Sequence, residues 1–184
     1  GFGTQNAAVF AGGFQFLDCS CTEEYDGSSW SAGGALINAR KKPGTAGIAT
    51  AGLIFGGEPH PSYSSCTEEY DGTSWSAGGT KIQARYELGG TGTQNAALAH
   101  GGRNYFGGAS PTVTIYSCTE EYNGTSWSTG GALITARHGL GGAGTQNAGI
   151  AFGGECTGET LLTCTEEYDG TSWSAGGALI LERR

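Results

Sequence analysis

The sequence predicts an all-β protein, and three observations predict it. One phrase is written four times: CTEEYDGSSW at 21–30, CTEEYDGTSW at 66–75, CTEEYNGTSW at 118–127 and CTEEYDGTSW at 164–173. The phrase alternates its faces, with Cys164, Glu166 and Tyr168 on one side and Thr165, Glu167 and Asp169 on the other, which is the two-residue period of a strand. No segment carries a capped helical period, and the 36 glycines among 184 residues follow no collagen-like triplet.

The elements follow in order within each unit. A small-residue run such as GTQNAALAHGG (92–102) reads as a buried strand closed by a Gly-Gly turn. A variable stretch comes next, then the CTEEY strand. Asp-Gly or Asn-Gly turns the chain into a strand that begins at Trp. A segment such as ALITAR (132–137) leaves that strand, and HGLGGAG (138–144) forms a short innermost strand before the next Thr-Gln-Asn turn. The second unit is the most degenerate at its start, with GIATAGLIFGG (47–57). The units divide at about 1–46, 47–91, 92–143 and 144–184, within one domain.

The Trp residues at 30, 75, 127 and 173 are spaced by 45, 52 and 46 residues, the period of a propeller blade of four strands. Gly and Ala suit the crowded strands near a propeller axis, where larger side chains clash. Trp and Tyr fill the space further out, where blades diverge. One unit cannot bury both its faces alone, so each repeats the same packing surface for its neighbours. Trp30, Trp75, Trp127, Trp173, Tyr25, Tyr70, Tyr122 and Tyr168 are therefore read as packing residues. Arg40, Arg85, Arg137 and Arg183 are expected to pair with Glu of the same or a neighbouring blade.

The pattern of Gly-Gly, TEEYDGTSW and a following Arg resembles a kelch-type repeat over essentially the whole chain. It also resembles the glycine-rich kelch-like arrays of marine bacteriophage structural and tail-fibre-like proteins. Each Tyr lies five residues before its Trp, which is a short step for kelch, and four units are fewer than a kelch ring usually has. The resemblance implies a β-propeller of kelch-like blades, a structural or adhesive role, and an extracellular or virion location. Three arrangements stay open: a closed ring of four blades, which leads, an excerpt of a longer array, and self-assembly of several chains. Closure of four has support in the ends, since ALILERR (178–184) followed by GFGTQN (1–6) nearly recreates the internal junction at 132–147.

Function is expected in the stretches between Gly-Gly and CTEEY, which differ in length and chemistry while their flanks stay nearly fixed. They place Phe14, Phe16, His60, Tyr63, Arg103, Tyr105 and Phe106 on one face as candidate ligand-binding residues. Aromatics with Arg supply rigid contact area and hydrogen bonds, and suit a protein or a glycan. A multivalent lectin-like module is the alternative within binding, and a kelch-type enzyme with an unrecognised site is the alternative outside it.

The net charge is −8, and eight of the seventeen acids lie in the repeated Glu-Glu pairs, which argues against a nucleic-acid partner. No apolar run is long enough to insert in a membrane. No catalytic motif and no cofactor signature appears, so the chain is read as non-enzymatic with no cofactor. Adjacent acids such as Glu23 and Glu24 point to opposite faces, so no metal site is expected. Asn123 in NGT is read as the third unit's turn residue rather than a glycosylation site. Cys21, Cys66, Cys118 and Cys164 are read as small buried hydrophobes, and a Cys19–Cys156 disulfide is the bond that would lock a ring of four.

Overall fold

The computed structural model describes residues 1–58, 63–106 and 112–183, the side chain of Phe106 excepted. These residues form strands and no helix. Sheet 1 contains β1 (Phe2–Thr4) and β2 (Ala7–Ala11), then a small hairpin of β3 (Phe14–Gln15) and β4 (Leu17–Asp18), then β5 (Thr22–Tyr25) and β6 (Trp30–Ala32). Sheet 2 contains β7 (Gly44–Ile48), β8 (Ala51–Phe55), β9 (Thr67–Tyr70) and β10 (Trp75–Ala77). Sheet 3 is β11 (Gly89–Thr93), β12 (Ala96–His100), β15 (Thr119–Tyr122) and β16 (Trp127–Gly130), with a hairpin of β13 (Arg103–Phe106) and β14 (Thr112–Ile115). Sheet 4 is β17 (Gly141–Thr145), β18 (Ala148–Phe152), β21 (Thr165–Tyr168) and β22 (Trp173–Ala175), with a hairpin of β19 (Glu155–Cys156) and β20 (Thr160–Leu161).

Each sheet has four antiparallel strands in simple up-and-down order, from an innermost glycine-rich strand to an outermost Trp strand. The innermost strands begin at Gly44, Gly89 and Gly141, three residues before the divisions at 47, 92 and 144 expected from the sequence. β1, β7, β11 and β17 pack side by side in chain order. The fold is all-β and propeller-like, an array of four-stranded sheets around an axis.

The array is open. Packing on the scale that joins β7 to β11 and β11 to β17 does not join β17 back to β1. The expected closure of four units into a ring is therefore corrected: sheets 1 and 4 are the two ends of an arc. The expected Cys19–Cys156 bond is corrected with it, because those residues belong to opposite ends. Cys19 instead bonds Cys21, two residues along the same hairpin, and Cys156 is a free thiol.

The core lies between sheets, in three clusters for three interfaces. Val9, Ala11, Leu36, Ile54, Tyr70 and Trp75 fill the first. Leu53, Phe55, Leu88, Ala97, Tyr122 and Trp127 are central to the second, and Leu98, Leu133, Ala151, Tyr168 and Trp173 make the third. One set of polar contacts recurs at each. The indole N–H of Trp75, Trp127 and Trp173 donates to Thr22, Thr67 and Thr119 of the preceding sheet at 3.0, 2.9 and 2.9 Å. The hydroxyls of Tyr70, Tyr122 and Tyr168 donate to Glu24, Glu69 and Glu121 of the preceding sheet. Arg40, Arg85 and Arg137, all fully buried, pair with Glu68, Glu120 and Glu166 of the following sheet. Each of those carboxylates also accepts backbone N–H bonds from the preceding sheet, at Ile37 and Asn38, Ile82 and Gln83, or Ile134 and Thr135. This hydrogen bonding of each carboxylate is what allows a charge pair to stay in a dry interface, although Arg85 Nε has no hydrogen-bond partner among the described residues.

The two acids of Glu-Glu thus have opposite tasks: the first faces the preceding sheet and the second the following one. The four equivalent cysteines are not buried hydrophobes, and this corrects the sequence reading. Cys66 is exposed, Cys118 and Cys164 are half-buried, and Cys21 is oxidised. They sit at the rim of each sheet, where their carbonyls accept from the first glycine of each Gly-Gly pair. Both glycines of those pairs have positive φ, from 63° to 114°, which lets the chain turn out of the sheet without a Cβ clash.

Candidate functional site

The variable stretches all leave their sheets at the Gly-Gly turn and rise from one rim. Three become small hairpins, β3–β4, β13–β14 and β19–β20. The stretches of the second, third and fourth units are each tied to the preceding unit by a two-residue bridge, Lys41 with Glu58, Tyr86 with Arg103, and His138 with Glu155. The residue after each buried Arg therefore aligns with the residue after the next Gly-Gly, which sets the loops in a continuous band.

The centre of the band is Glu87. Its carboxylate receives Lys42 Nζ at 2.5 Å, Arg103 Nε at 2.7 Å and His138 Nδ1 at 2.8 Å. Partial burial pushes this carboxyl up, but the bonds from His138 and Lys42 and the Arg103 charge outweigh it and hold the pKa at about 2. Tyr86 beside it carries Lys42 and Arg103 at 5.5 and 5.2 Å from its ring centroid. Tyr63 stacks on Tyr86, with centroids 5.0 Å apart and planes within 12°, and its hydroxyl donates to the Tyr105 carbonyl at 2.5 Å. A cavity of about 180 Å³ lies between the hairpins of sheets 3 and 4, lined by Arg103, Val113, Ile115, His138, Glu155 and Cys156 among others.

At the sheet 1 end, Phe14, Phe16 and Leu17 are 64, 91 and 78% exposed. Phe16 is the single residue between β3 and β4 and has φ 63°, a left-handed conformation that a bulky residue rarely holds. The Cys19–Cys21 bond lies at the foot of this knuckle. Lys41 lies 4.8 Å from the centre of the Phe14 ring and within 3.5 Å of Asp18 and 3.7 Å of Glu58, linking the knuckle to the second unit's loop.

The sequence-derived candidates fall into two groups. Tyr63 meets Tyr105 directly and Arg103 by way of Tyr86, on which both pack, while Phe14 and Phe16 form the separate knuckle. His60 and the Phe106 side chain lie outside the described residues. Sequence reasoning missed Lys42, Tyr86, Glu87 and His138. They lie in the short segments KKP, YEL and HGL after the buried arginines, which vary between units just as the longer loops do. That variation was the available signal. Among the described residues, no three His, Cys, Asp or Glu side chains are placed to hold a metal ion.

No family model and no curated protein matches the chain. The solved structure of YjhT is similar in fold, with a TM-score of 0.74 at 13% identity, covering 87% of this chain. The chain spans about half the length of that structure, 53%. At this identity the likeness speaks for the propeller-like fold alone.

Proposed function

We propose that the chain is a non-catalytic, kelch-like propeller module of four blades, adhesive or structural in role, which presents its variable-loop band to a protein or glycan on a phage particle or other extracellular assembly. The observation that carries this reading is the band itself. Stacked and exposed aromatics, with Arg103 among them, come from several units and are spliced into one rim by backbone bridges. Rigid aromatic area with a guanidinium is the composition of contact hot spots. The charges at its centre neutralise one another around Glu87, which suits a preformed docking surface better than a group poised for proton transfer.

Glycan contact is the form of this reading favoured by Phe14, Phe16 and Tyr105, whose exposed rings suit stacking on sugar faces. Several weak sites along one rim would add through avidity. The test is a glycan array and an immobilised-host-surface assay on the wild type and on Arg103→Ala, Tyr105→Ala and Phe16→Ser. Saturable binding that weakens at least about tenfold in these variants, with unchanged melting, supports the reading. Binding that ignores all three variants refutes the band as the contact surface.

A further inference from the structure

Residues 1–184 build one interface three times, and the two halves of that interface are exposed on the outer faces of sheets 1 and 4. Trp30 of sheet 1 is 53% exposed, whereas Trp75, Trp127 and Trp173 are 8, 7 and 7% exposed. Glu23, whose counterparts Glu68, Glu120 and Glu166 are buried against arginines, is exposed, and so is Arg183, whose counterparts are fully buried. At the sheet 4 end an open hollow of about 470 Å³ is lined by Phe152, Leu179 and Arg183 with their neighbours. Internally, the residues at these places receive the next sheet's Trp. Leu36 and Leu133 pack in the clusters with Trp75 and Trp173, and Phe55 and His100 meet Trp127 and Trp173 edge-on at 5.0 and 5.2 Å.

We propose that the sheet 4 face binds the sheet 1 face of a second copy of this chain, head to tail. The occupant follows from continuity with the internal interfaces. Trp30 of one copy seats between Phe152 and Leu179 of the other and donates to Thr165. Tyr25 donates to Glu167, and Arg183 pairs with Glu23. Gln5 reaches the carbonyls of Gly149 and Tyr168, as Gln94 and Gln146 reach the equivalent pairs at 2.7–3.1 Å. The two faces differ, so the contact is heterologous: it gives a ring if the rotation closes and a filament if it does not. This inference stands independently of the loop band.

Gly177 provides the sharpest handle. A Cβ at its counterparts Gly34, Gly79 and Gly131 would meet the next sheet's Thr73, Thr125 and Thr171 carbonyl oxygens at 2.3, 2.2 and 2.2 Å, but at Gly177 it would meet nothing within 4 Å. A side chain there is silent within one chain and blocks the approach of another. The measurement is mass by light scattering on a size-exclusion column, over a concentration series. The wild type is expected at a whole multiple of 18.7 kDa, or at a mass growing with concentration. Gly177→Trp and Glu23→Arg are each expected as monomers with wild-type circular dichroism, and Arg183→Glu is the replacement should Gly177→Trp misfold. Mixing Gly177→Trp with Glu23→Arg is expected to give a 1:1 pair, because one variant retains the sheet 1 face and the other the sheet 4 face. A wild type that stays at 18.7 kDa throughout overturns the proposal. So do multimers that persist in both variants, or a mixture that stays monomeric.

Discussion

Lys81 occupies the place that Leu36, Leu133 and Leu179 hold in the other units, and it is as buried as Leu36. Its Nζ donates to Glu120 at 2.8 Å, but Glu120 already has Arg85 at 2.6 Å and two backbone N–H groups. Burial, with the Arg85 charge second, pushes the Lys81 amine down to about 7. In the unfolded chain it titrates near 10.5, so between these values the unfolded state holds more protons and stability rises with pH. Lys81→Leu should raise stability by about 1–3 kcal/mol near neutrality, and the gain should shrink toward pH 10. Urea unfolding of both proteins at several pH values checks it; an equal gain at all pH values would assign the effect to packing alone.

His100 is the analogous case in β12. It stands where β8 and β18 have Phe55 and Phe152, is wholly buried, and both ring nitrogens lack a hydrogen-bond partner among the described residues. Burial, followed by the charges of Arg85 and Arg137, lowers its pKa to about 3. Its folded pKa lies below the unfolded value near 6.5, so the unfolded state takes up protons first as pH falls through 6.5 toward 3, and stability is lost in that window. His100→Phe should raise the melting temperature and flatten its acid side between pH 6.5 and 4. Melts at pH 7 and pH 4.5 decide this, and a variant that loses as much as the wild type would sink it.

At the scale of elements, the turns and the hairpins behave differently. The turn after each Tyr is a four-residue loop, since Tyr25 pairs with Trp30 across it. Asp26 accepts from the N–H groups of Ser28 and Ser29 at 2.8 Å, and Asp71, Asn123 and Asp169 repeat the arrangement. Those backbone bonds, with a side-chain bond from Ser28 or Thr171, hold the Asp26 and Asp169 carboxyls at about 2. The turn is thus specified locally and was readable from Asp-Gly, although a shorter connection was expected there. The β3–β4 hairpin works against local preference, because Phe16 holds φ 63° while exposing its ring. Phe16→Gly should keep or raise thermal stability by up to about 1 kcal/mol while weakening ligand binding. A fall in stability with binding intact would show the ring to be packing rather than contact.

For the whole molecule, stability is a sum over three interfaces rather than one core. Trp127→Ala removes a ring that packs in the second cluster and bonds Thr67, and should cost about 3–5 kcal/mol. Trp30→Ala, on the exposed face of sheet 1, should cost under about 1 kcal/mol in the dilute single chain. Comparing the two by denaturant unfolding at low concentration checks the open arc. Equal losses would mean that Trp30 is seated within the chain after all.

The repeat period, the strand alternation and the Gly-Gly turns were legible in the sequence because they are local. A period of two, a Cβ-free turn and a capped Asp loop are each specified by residues a few positions apart. Tertiary structure alone decided what depends on the angle between sheets. That angle leaves sheets 1 and 4 apart, which keeps Cys19 away from Cys156 and leaves Trp30 exposed. It also brings Lys42, Tyr86, Glu87, Arg103 and His138 to one point from three different units. A repeat states what each sheet offers its neighbour; how many neighbours the chain itself supplies is set by the accumulated rotation, which no single unit contains.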